Sequence, residues 1–123
     1  MDVIVARLLK EAVDDLVKLE IALFFQRSPG YVDGAQAIAK RIYRDQVEVE
    51  RSLQALAKTG LLERFELGSG RYVLYSLTQD PQSQQAVDLL STAYHESEHD
   101  RLAIIRVLMQ RRPVEGASVT GDG

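Results

Sequence analysis

The chain has 123 residues, 46% of them hydrophobic and 27% charged, with a net charge of −3 and no cysteine. That length suits one domain able to bury a core, and the lack of cysteine excludes disulfides, thiolate zinc sites and thiol redox sensing. No stretch reaches the roughly 18 apolar residues of a membrane span. No basic segment leads into an apolar run with a small-residue cleavage site, so no secretory signal is read and a cytoplasmic location is expected.

The opening segment, residues 2–27, is rich in helix formers, with Leu8, Leu9, Ala12, Leu16, Leu19 and Leu23 recurring at threes and fours. Asp14-Asp15 splits it into two helices, either aspartate serving as the second cap. Ser28-Pro29-Gly30 ends it, and Tyr31-Val32 reads as a short strand. Asp33 then suits the N-cap of a helix running through Ile42. Tyr43-Arg44-Asp45 is a polar turn, and Asp45 with Glu48 three residues on resembles a capping box. In the helix that follows, Val49, Leu53 and Leu56 share one face, while Gln46, Glu50, Arg51, Gln54 and Lys58 are placed on the other. Gly60 fits the position just past a helix, where left-handed backbone favours glycine.

A hairpin comes next. Residues 61–67 read as one strand, Gly68-Ser69-Gly70 as a turn and residues 71–78 as the second strand. Phe65, Tyr72 and Tyr75 within it could stack on bases, but packing is the preferred reading. Asp80-Pro81 reads as an N-cap with proline at the first helical position. Residues 81–112 are helical, with a bend expected in the wholly polar run His95 to Arg101 and a stop at Pro113. Residues 113–123 are expected to be a disordered tail. Charge is unevenly spread: residues 31–60, with five bases against four acids, form the only net-positive segment. That is a weak nucleic-acid footprint.

The joint spacing of Ile38, Ala39, Ile42, Asp45, Val49, Leu53, Leu56, Gly60 and Leu61, closed by Tyr75-Ser76-Leu77-Thr78, resembles that of winged helix-turn-helix transcriptional regulators. The similarity covers residues 15–79, about half of the chain. It implies a mostly α fold with a small β-hairpin. The division would be an N-terminal helix (1–14), the winged domain (15–79), a C-terminal helical dimerisation segment (80–112) and the tail (113–123). It also implies sequence-specific binding of double-stranded DNA, with residues 45–59 as the recognition helix in the major groove and residues 61–78 as the wing on the backbone. Gln46, Glu48, Glu50, Arg51 and Gln54 would then be the outward positions of that helix, and Lys40, Arg44, Lys58 and Arg71 would reach phosphates or, for Arg71, the minor groove. The expected partners are DNA and a second copy of the chain, the latter because the apolar faces of the terminal helices, Val3 to Val13 and residues 81–112, exceed what one winged helix needs. No catalysis, cofactor, metal or membrane is implied, and no effector is indicated. Two departures stand out: the turn often has glycine where Tyr43 stands and an apolar residue where Arg44 stands. A left-handed tyrosine costs ~1 kcal/mol, which leaves another turn geometry open. Asp45, Glu48 and Glu50 also make the helix acidic, which keeps a non-catalytic protein-interaction module as the alternative.

His95-Glu96-Ser97-Glu98-His99 matches H-E-x-x-H, in which two histidines on one helical face bind zinc beside a glutamate base. Acids at Glu98 and Asp100 and the lack of a third ligand argue against a peptidase. A metal-responsive repressor using His95 and His99 is a distant alternative to a solvated polar stretch.

Overall fold

The computed structural model describes the backbone of residues 1–120 and the side chains of residues 1–111. Its elements run in the order α1 (Val3–Glu11), α2 (Leu16–Gln26), α3 (Ala35–Ile42), α4 (Gln46–Thr59), β1 (Leu62–Leu67), β2 (Tyr72–Leu77), α5 (Pro81–Glu96) and α6 (Glu98–Thr120). The fold is therefore mostly helical with one antiparallel hairpin, as expected. Among the described residues no helix is long and apolar enough to cross a membrane.

Four helices begin on aspartate. Asp2, Asp15, Asp45 and Asp80 each have extended backbone, and their carboxylates accept from the N–H of Ile4 at 2.7 Å, Lys18 at 2.8 Å, Glu48 at 3.0 Å and Ser83 at 2.9 Å. Caps of this kind stabilise by ~1 kcal/mol each because they satisfy N–H groups that have no partner in the first turn. Of the pair Asp14-Asp15, Asp15 is the cap. At α3 the expectation fails: Gly34 is the N-cap, with no side-chain bond. Asp33 has another role. Its N–H donates to the Tyr75 carbonyl at 3.2 Å and its carbonyl accepts from the Tyr75 N–H at 2.8 Å. The strand expected at Tyr31-Val32 is thus a single bridge, one residue later, on the edge of the hairpin. Glycine follows because a Cβ at Gly34 would lie 3.1 Å from the Val73 carbonyl oxygen.

Helix α2 is apolar nearly all round and sits in the middle, with Val17, Leu19, Ile21, Ala22, Leu23, Phe24 and Phe25 buried. On one side it meets Ile38 and Ala39 of α3, Val49, Leu53 and Leu56 of α4, and Leu61, Leu62 and Tyr75 around the hairpin. On the other side Val5, Leu8 and Leu9 of α1, Val87 and Leu90 of α5, and Ile104 and Leu108 of α6 join the same core. The Arg111 guanidinium donates to the Leu9 carbonyl and ties α6 to α1. The terminal helices therefore bury much of their apolar surface on their own chain. This narrows the surplus that the sequence suggested for a dimer.

The hairpin pairs Leu62 with Leu77 through Leu67 with Tyr72, and residues 68–71 form its loop. Gly60, at φ 90°, ends α4 in left-handed backbone as expected, and the chain turns directly into β1. The bend expected in the polar run lies at Ser97, whose extended backbone separates α5 from α6. Helix α6 passes Pro113, where a stop and a disordered tail were expected, and its backbone continues to Thr120. Proline removes one ladder bond and crowds the preceding turn, yet helical backbone is kept on both sides of it. Residues 121–123 of the expected tail lie outside the described residues.

Candidate nucleic-acid interface

The turn between α3 and α4 sets the geometry of the site. Tyr43 occupies left-handed backbone, φ 58° and ψ 49°, so the turn takes this form despite a tyrosine where glycine is cheapest. The carbonyl of Ala39 accepts from the N–H groups of Tyr43 and Arg44, the latter at 3.0 Å. The Tyr43 side chain is 91% exposed.

The Arg44 guanidinium is paired within the chain. Its Nε donates to Glu20 Oε1 at 3.0 Å and its Nη2 to Glu20 Oε2 at 2.7 Å, while Nη1 lies 3.9 Å from Glu48 Oε1. The two-pronged bond to Glu20 raises the Arg44 pKa above its ordinary value, chiefly through that hydrogen bond. Arg44 thus ties the turn to α2, with its charge offset by Glu20. Glu48 is drawn the same way: its backbone N–H closes the Asp45 cap, but its carboxylate leans to Arg44.

Helix α4 divides cleanly. Val49, Ser52, Leu53 and Leu56 are buried. Val47, Arg51, Gln54 and Lys58 are exposed and follow spacings of four, three and four, which places them on one outward stripe. Gln46 and Glu50 flank that stripe on the hairpin side. There they line a groove with Asp33, Gly34, Gln36, Arg71 and Tyr72. Arg51 stands on the opposite flank, in a hollow shared with Lys18, Arg44, Glu48 and Ser52. Lys40 of α3 lines a third depression with Gln36, Tyr43, Arg44 and Gln46.

The structure therefore brings Gln46, Glu50 and Arg71 to one groove and leaves Arg51, Gln54 and Lys58 along the adjoining crest. Arg51, Lys58, Lys40 and Arg71 make no salt bridge among the described residues. On the hairpin, Arg64 donates to Glu66 at 2.5 Å, a bond that raises its pKa. Tyr75 is buried, whereas Phe65 is 39% and Tyr72 57% exposed, so the packing expected of all three holds fully for Tyr75 alone. Arg41, not singled out from the sequence, lies 5.6 Å over the Tyr31 ring. Val47, 65% exposed, was not singled out either. Its offset of two from Val49 was the signal that it faces outward.

The histidines are kept apart in secondary structure. His95 closes α5, His99 opens α6, and the break at Ser97 removes the single helical face that the zinc reading needs. His95 Nδ1 lies 3.0 Å from the Ser91 carbonyl of its own helix. Among the described residues no group of three or more histidine, cysteine, aspartate or glutamate side chains is placed to hold a metal ion.

Comparison with protein-family models, with curated proteins and with solved structures finds no match to this chain.

Proposed function

We propose that residues 15–79 act as a winged helix-turn-helix and that the chain is a sequence-specific DNA-binding transcriptional regulator. The observation that carries this reading is the exposed stripe of α4, with Arg51, Gln54 and Lys58 clear of the core and the hairpin's Arg71 beside its Gln46–Glu50 flank. Such a helix fits a major groove, where arginine pairs with guanine and glutamine with adenine. The hairpin then rests on the neighbouring backbone through Arg71. Arg44 and Glu20 hold α4 at a fixed angle to α2 and make no DNA contact.

The DNA-binding unit is a homodimer in this proposal. The surface available for pairing is the exposed Leu102 and Met109 with the half-buried Ile105 on α6, together with Val3 and Ile4 of α1. A two-fold pair would present two α4 helices to a pseudo-palindromic site.

A second reading is a non-catalytic protein-interaction module using the same helix. It is favoured by the offset of the Arg44 charge by Glu20 and by Asp45, Glu48 and Glu50 around the start of α4. Selection of bound duplexes from a random pool by the untagged protein separates the two. An enriched motif supports the regulator, whereas no duplex retained at low salt leaves the protein-contact reading.

A further inference from the structure

Two of the three most exposed large hydrophobic side chains among the described residues lie within five residues of each other, at the start of α4: Tyr43 at 91% and Val47 at 65%. Val47 is the second residue of the helix and leads the stripe that continues through Arg51, Gln54 and Lys58. The helix does not need it there. Valine is a poorer helix former than alanine, glutamine or lysine, and the core below is filled by Val49 and Leu53, both 0% exposed.

Resting on the DNA-binding reading, we propose that Val47 reads a thymine through its C5 methyl group. The first turn of a major-groove helix is the part that meets base edges. Of the features on those edges, the thymine methyl is the one that most rewards an aliphatic side chain; the small C5–H of cytosine offers little contact, and the remaining groups are hydrogen-bond donors or acceptors that valine leaves unpaired. Gln46 lies beside Val47 and can take the adenine of a neighbouring pair. Arg51, one turn on, can take a guanine. The half-site should therefore contain a thymine within one or two base pairs of the position sensitive to Arg51.

The test uses duplexes selected by the intact protein, with each thymine replaced singly by uracil. Uracil keeps the hydrogen-bonding pattern and lacks only the methyl group. One replacement should weaken binding about fourfold, the worth of one buried methyl-sized group. With Val47→Ala the same replacement should make clearly less difference, since the shorter side chain keeps only one methyl group, while the melting temperature stays the same or rises. A selected site without an invariant thymine, or Val47→Ala protein that discriminates thymine from uracil as strongly as the unaltered protein, overturns the proposal and leaves DNA binding standing. If the unaltered protein retains no duplex at all, the DNA-binding reading fails and this assignment falls with it.

Discussion

Tyr43 is held in left-handed backbone at φ 58° with its ring 91% in solvent, so no packing in this chain offsets the strain. An exposed outlier of this kind is a better pointer to function than to stability. Tyr43→Gly should raise the unfolding free energy by about 0.5–1 kcal/mol, the strain relieved less the extra freedom of the unfolded glycine. Urea titration checks this, and an unchanged or lower midpoint contradicts it. Arg44 shows the opposite pattern. Its bond to Glu20 is two-pronged but about a third exposed, so Arg44→Ala should destabilise by only about 1 kcal/mol. Its effect on the salt dependence of DNA binding should be nil, because its charge is already offset. A salt slope reduced by one unit would keep Arg44 in the phosphate-contacting set.

At the scale of elements, α4 and the hairpin work as one piece. Leu53 is 0% exposed beneath the outward stripe, and Leu53→Ala should cost about 2–5 kcal/mol by transfer and cavity terms, read by thermal unfolding. Glu50 faces the same groove as Arg71, so Glu50→Gln should strengthen binding to unrelated duplexes by removing repulsion from phosphate. Weaker non-specific binding would mean that Glu50 has a positive role. Local signals made most of these elements legible. Asp15, Asp45 and Asp80 cap the helices as their spacing implied, Gly60 ends α4, and the glycine loop turns the hairpin. What was not legible depends on partners far along the chain. Glu20 precedes Arg44 by 24 residues, so nothing near Arg44 marks it as a structural clamp. Asp33 looked like a cap because a helix follows, but the edge of β2 competes for its backbone. Val47 drew no notice because the sequence reading followed the buried face of Val49, Leu53 and Leu56 and the polar positions opposite it.

For the whole molecule, the terminal helices were read as surplus, and the structure buries Val5, Leu8, Leu9, Val87, Leu90, Ile104 and Leu108 of them in the core around α2. Among the described side chains the apolar strip left on α6 is Leu102, Ile105 and Met109. Sedimentation should still give about twice the 13.8 kDa chain mass at micromolar concentration, and Leu102→Glu with Met109→Glu should shift it to the monomer. A monomer in the unaltered protein removes the proposed two-fold site geometry.

The most direct measurement of the central claim is a titration of the selected duplex and of random duplex from ~50 to ~200 mM salt, for the intact protein and for Arg51→Ala and Arg71→Ala. The selected duplex should bind more tightly than the random one. Arg51→Ala should lose ~1–3 kcal/mol on that duplex and blunt the preference, while Arg71→Ala should weaken all sequences alike and lower the salt slope by about one unit. No binding to either duplex at low salt, or binding that neither substitution changes, contradicts the assignment of α4 and the hairpin as a DNA-reading surface.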